Sequence, residues 1–89
     1  MAVIDNAARN RFELAEDGHL AFATYQSAGN ERIIPHVETA VPLRGKGAAG
    51  RLMSGIVAEA RARGFKIRPV CPYAVSWFRR NPDAADVLA

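Results

Sequence analysis

Cysteine is close to absent. Cys71 is the only one in 89 residues, so no internal disulfide framework is available. No segment approaches the ~20 consecutive apolar residues of a membrane-spanning helix. The stretch from Met1 to Asn10 carries no apolar run of the signal-peptide kind. A soluble, cytoplasmic protein without membrane contact is therefore expected. Histidine is scarce, with His19 and His36 alone. These two and Cys71 show no metal-ligand spacing, so no metal is expected. The excess of positive charge is only +3 at neutral pH, which favours an anionic partner but argues too weakly for nucleic acid. There is no repeat, low-complexity tract or linker. What is present is one domain's length of chain, residues 1–89, with 49% hydrophobic residues to fill one modest core.

The N-terminal half reads as strands. Val3 and Ile4 suggest a brief edge pairing. Asn10 to Ala15 alternates, with Phe12 and Leu14 on one side and Arg11 and Glu13 on the other, which is the period of a half-buried strand. Glu16-Asp17-Gly18 is a turn, and His19 to Gln26 returns as a second strand with Leu20, Phe22 and Thr24 on one face, making a hairpin. After a turn at Ser27-Ala28-Gly29-Asn30, a third run from Arg32 to Val41 is rich in Ile, Val and Thr. Pro35 inside it cannot donate to a ladder, so a break, bulge or edge is expected, with pieces at Arg32–Ile34 and His36–Val41.

The period then changes. From Gly47 or Ala48 to Arg63, the residues Ala49, Leu52, Met53, Ile56, Val57 and Ala60 form one helical apolar stripe. Arg61 and Arg63 suit the negative end of its dipole, and Gly64 suits the position just past it. Phe65 to Cys71 reads as a strand, which with His36–Val41 and the helix makes a parallel βαβ unit. Tyr73 to Asn81 is a short helix with Val75, Phe78 and Trp77 as inward candidates. Pro82 stops it, and Asp83 to Ala89 reads as a tail. The fold class is α+β.

The stretch between the third strand and the long helix organises the chain. Gly45-Lys46-Gly47-Ala48-Ala49-Gly50 places three glycines in six residues beside Arg44 and Lys46. Glycine permits close backbone approach, and a helix N-terminus offers unpaired N–H groups to a phosphate. The plain alternative is a glycine-rich turn that merely starts a helix. A dinucleotide fingerprint would need an acidic residue about 20 positions on, where Val70, Cys71 and Pro72 stand. A Walker loop would need Ser or Thr after the lysine, where Gly47 stands.

A third pattern, Arg/Gln-x-x-Gly-x-Gly/Ala, is matched by Arg44, Gly47 and Ala49. With it come Arg11-Phe12-Glu13-Leu14, Asp17-Gly18, His36-x-Glu38, Glu59-Ala60-Arg61-Ala62-Arg63-Gly64, Cys71-Pro72-Tyr73 and Arg79-Arg80-Asn81-Pro82. In this ordered set the chain resembles the GNAT acetyltransferase superfamily, and within it the short single-domain branch. It departs from that pattern at Thr39-Ala40, Asn81 and Ala84.

The resemblance implies acetyl-CoA as cosubstrate, wedged between His36–Val41 and Phe65–Cys71. The implied contacts are Val41, then Arg44, Gly45, Lys46, Gly47, Ala48, Ala49 and Gly50 around the diphosphate, with Cys71 and Tyr73 nearer the acetyl group. It implies Cys71 as an acetyl acceptor, an assignment helped by its place before a helix, where thiolates are favoured; the alternative is a small buried hydrophobe. Glu38 or His36, two residues apart on one strand face, would take the proton of an attacking amine; the alternatives are a surface carboxylate and a structural histidine. Tyr73 would protonate the leaving thiolate or simply pack. The longer enzymes of the superfamily build an acceptor pocket from segments for which this chain has no room. An open site then suits an amine on a protein, and a CoA-binding module without turnover is the other reading.

Overall fold

The computed structural model describes residues 3–89. Five strands form one sheet in chain order: β1 (Ile4–Asn6), β2 (Arg11–Glu16), β3 (His19–Ala28), β4 (Glu31–Thr39) and β5 (Lys66–Pro69). Neighbours from β1 to β4 are antiparallel, and β4 with β5 is parallel. The β2–β3 hairpin closes through Asp17 and Gly18, at φ 51° and 76°. Positive φ at both central residues matches the twist of paired strands.

Helix α1 (Ala48–Arg63) packs across β2, β3 and β4. Its buried stripe is Leu52, Met53, Ile56, Val57 and Ala60, with Ala48 below it, while Ala49 is half-buried. The sheet answers with Phe12, Leu14, Ala21, Ala23, Tyr25 and Ile34. Each large aliphatic side chain so buried contributes roughly 1.5–3 kcal/mol. Leu20, Phe22 and Thr24 share a face as expected, and it is the face turned away from α1; the small residues Ala21 and Ala23 let the helix lie close to the sheet. Gly64, at φ 80°, ends α1 and donates to Ala60.

Four boundaries differ from the sequence reading. The run expected as two pieces is one strand, with a bulge at Ile34–Pro35: Gln26 pairs with Ile33 but Thr24 pairs with His36. Val41 is not in that strand; it opens a short 3-10 turn, Val41–Leu43, made by Pro42 after the ladder ends. The parallel partner of β5 is Glu31–Ile34 and not His36–Val41, because Pro35 has no N–H to carry the ladder on. The fifth strand is shorter than Phe65–Cys71, since Pro69 and Pro72 confine it.

Helix α2 (Pro72–Arg80) buries Ala74, Trp77 and Phe78, whereas Val75 is only half-buried. Asp83–Ala89 is not a loose tail. Pro82–Val87 turns in 3-10 form, Ala84 and Val87 enter the core, and Leu88 bridges to Ile67. Alanine and valine there offered too short an apolar pattern to signal packing.

Candidate active site

Pro35 divides β4 into two working halves. Up to Ile34, it is bonded to β5. At Ile34 the carbonyl accepts from both Val70 and Cys71 N–H, each at 3.0 Å. Beyond that point β5 departs, and among the described residues His36–Thr39 keep β3 as their only strand partner. A cleft of about 590 Å³ opens there, within the range of small-molecule and cofactor sites. Its walls are His36–Thr39, Leu43–Gly45, Gly47–Gly50 and Tyr73.

One end of the cleft is backbone. Among the described residues no side chain caps α1, and its first internal bond is Arg51 N–H to the Gly47 carbonyl. The N–H groups of Ala48, Ala49 and Gly50 therefore lack helical acceptors. Among the described residues, the amides of Gly45 and Gly47 also have no hydrogen-bond acceptor. Gly47 sits at φ 81°, a conformation side chains disfavour. Beside this turn, the Arg44 side chain reaches back to the end of β4, its Nε donating to the Thr39 carbonyl at 3.2 Å. The result is a nest of free donors under partial positive charge, suited to an anion.

The other end carries side-chain chemistry. His36 and Glu38 project from one face of β4, with Nε2 and Oε1 3.0 Å apart and both side chains more than half exposed. Their rungs on β3 are Thr24 and Phe22, and the Phe22 and His36 rings are neighbours. Tyr73 closes the third side. Burial pushes its phenol above the usual value; Arg80 opposes this and Cys71 adds to it. The phenol thus keeps its proton at neutral pH.

The sequence matches the family model of the GCN5-related N-acetyl-transferases over residues 11–87. The chain belongs to this family. Its structure is similar to the NMR solution structure of a GCN5-like protein from Staphylococcus aureus. The TM-score is 0.72 at 29% identity, over 90% of this chain and 81% of that one. No curated protein matches the sequence. Antiparallel N-terminal strands, α1, the parallel β5 and α2 are the arrangement of the GCN5-related fold. Membership of the family implies acetyl-CoA use.

The residues present fit that cosubstrate: unpaired amides in a positively biased turn suit a diphosphate, and the freed edge of β4 offers backbone groups to an amide-bearing arm. Of the residues singled out from sequence, His36, Glu38, Arg44, Gly45, Gly47, Ala48, Ala49, Gly50 and Tyr73 line one cleft of this GCN5-related chain. Val41, Lys46 and Cys71 do not line it. Val41 is 69% exposed on the turn beyond β4. Cys71 is the residue just before α2, 8% exposed, where β4 and β5 part. Sequence reasoning missed the linkage of the loop to the hairpin. Arg51 is paired with Glu16, 35 positions away, and no local spacing signals a contact between a hairpin end and a helix start.

Proposed function

We propose that this protein is an acetyl-CoA-dependent N-acetyltransferase whose acceptor is an amine on a protein. One observation carries the reading: the uncapped amides around Gly47 and the His36–Glu38 pair line the same cleft. In the reaction, the amine nitrogen forms a bond to the acetyl carbon, and the carbon–sulfur bond to CoA breaks. The proton leaving the amine goes to the His36–Glu38 pair. With Glu38 accepting from Nε2–H, the other ring nitrogen is the base. The departing thiolate takes a proton from Tyr73. Arg44 and the amides of Gly45 and Gly47–Gly50 hold the diphosphate, and the thioester lies toward Tyr73.

The openness of the His36–Glu38 end supports a large acceptor. Small-molecule sites enclose most of their ligand, whereas both side chains here are more than half exposed. A second route, through acetyl-Cys71, is favoured by the position of Cys71 where the two strands part. In that route the thiolate first takes the acetyl group and the amine then removes it.

Incubation with radiolabelled acetyl-CoA and a lysine-containing polypeptide tests the reading. Acetyl transfer to amine, lost in a His36→Asn/Glu38→Gln double variant that still binds CoA, is the expected result. Label held by the wild type but absent from Cys71→Ser would assign the covalent route. Tight CoA binding with no transfer to any amine would make the chain a binding module instead.

A further inference from the structure

Arg51 stands at the start of α1, where a positive side chain meets the partial positive charge of the helix end. The first turn holds no acidic residue. Glu16, from the end of β2, supplies one. Its carboxylate accepts from Arg51 Nε at 2.7 Å and from Nη2 at 2.8 Å, a two-pronged charged pair. The Glu16 side chain is only 11% exposed, while that of Arg51 is 48% exposed, so the carboxylate is held from one side by protein and the pair's outer edge meets solvent. Arg51 also holds the Glu16 carboxyl below its usual range.

The same Nη2 reaches on to the Lys46 carbonyl at 2.9 Å. The guanidinium lies against Gly47, with Nη1 3.0 Å from where a Cβ would stand. All peptide bonds of the described residues are trans. In a trans peptide, the carbonyl and the following N–H point opposite ways. A Lys46 carbonyl drawn toward Arg51 therefore turns the Gly47 N–H away from Arg51. Among the described residues that amide has no acceptor, and Gly47 lines the cleft.

We infer that Glu16 is a positioning residue for the cosubstrate: it locks Arg51 in place, and Arg51 sets the Lys46–Gly47 peptide with its N–H aimed at the diphosphate. This rests on the acetyl-CoA reading above. Arg51 acts here as a clamp on the loop and not as a phosphate ligand, because Glu16 occupies its charge. The β2–β3 hairpin, remote in sequence, thus shapes the anion-binding turn.

The sign of one substitution tests this. Glu16→Gln adds a net positive charge and frees Arg51. If Arg51 were merely held back from the phosphates, CoA would bind more tightly. If Glu16 positions the loop, binding weakens. The experiment measures CoA binding by calorimetry, and KM and kcat with two donors, acetyl-CoA and S-acetylpantetheine, the latter lacking the diphosphate. Glu16→Gln is expected to raise the Kd for CoA and the KM for acetyl-CoA about ten-fold, with kcat kept. The KM for S-acetylpantetheine should stay unchanged. Arg51→Ala should give the same pattern, and the double variant should add little beyond either single one. Equal or tighter CoA binding by Glu16→Gln overturns the inference, as does an equal rise in KM for both donors. A wild type that binds no CoA overturns the functional reading itself, and that result is seen before any substitution is made.

Discussion

Val3 lies so close to α1 that a methyl group on Gly55 would stand 2.1 Å from its Cγ2 and 2.9 Å from its Cβ. Glycine in mid-helix normally costs up to about 1 kcal/mol relative to alanine. Here the missing side chain makes the notch that seats Val3, which is 9% exposed. Gly55→Ala should therefore destabilise by ~1–2 kcal/mol despite the better helix propensity, as overpacking does. Urea unfolding reads the change. Adding Val3→Ala should recover only part of the loss, because it removes the Cγ2 contact but leaves the Cβ 2.9 Å from the new methyl.

Gly47→Ala addresses the loop. The residue sits at φ 81° with Arg51 against it. An alanine there is strained by ~1–2 kcal/mol and its Cβ, 3.0 Å from Arg51 Nη1, crowds the guanidinium that holds the Lys46 carbonyl. The Kd for CoA should rise at least about ten-fold, with unfolding free energy lowered by no more than the strain. Calorimetric titration beside chemical denaturation separates the two effects.

Removing the proton acceptor should act on chemistry and not on cosubstrate binding. His36→Asn and Glu38→Gln each should lower kcat by roughly 10²-fold or more, with CoA affinity within about two-fold of wild type. Both side chains are over half exposed, so melting temperatures should hardly move. A large loss of CoA affinity in either variant would remove the pair from the acid–base role.

Acid should weaken the fold through its carboxylate–arginine pairs. Glu16 is held low by Arg51, Glu31 by Arg68 and Asp86 by Arg61. A carboxyl depressed in the folded state stabilises that state above its unfolded value. This contribution disappears as pH falls through the folded value. Melting temperature should thus be level above about pH 5 and fall below pH 4. Arg61→Gln, which releases Asp86, should make that fall shallower while lowering stability at pH 7.

Much of this fold is written in local patterns. Phe12 and Leu14 with period two, Asp17-Gly18, the stripe from Leu52 to Ala60 and Gly64 mark β2, the hairpin, α1 and its end. Pro35 marks the irregularity in β4, and of the break, bulge or edge it allows, the bulge is what forms, keeping as one strand what read as two pieces. What the sequence hides is long-range. Whether Glu31–Ile34 or His36–Thr39 pairs with β5 depends on which half keeps unbroken donors. That Ala84 and Val87 pack, and that Asp86 binds Arg61 across 25 positions, follows from the path of the chain after α2. The candidate site is legible as far as the motif reaches. His36, Glu38, Arg44 and the glycine turn are each visible in the sequence, whereas Glu16 and Arg51 meet only because the hairpin and α1 are stacked.

The extra residue at Ile34–Pro35 has a last consequence, one of parity. Strand side chains alternate sides, so Ile33 and His36, three positions apart, would face opposite ways in a regular strand; the bulge absorbs one residue and lets them share a face. Gln26 opposes Ile33, yet Thr24 opposes His36. Were the same sequence to run on from Ile33 in regular pairing with no bulge, His36 and Glu38 would point into the apolar packing beneath α1, and Val37 and Thr39 would take their places outside. The chemistry of this protein thus depends on an irregularity being kept: the bulge absorbs the odd residue at Ile34–Pro35, and smoothing the strand with its count unchanged would bury two polar groups and turn its reactive side inside out.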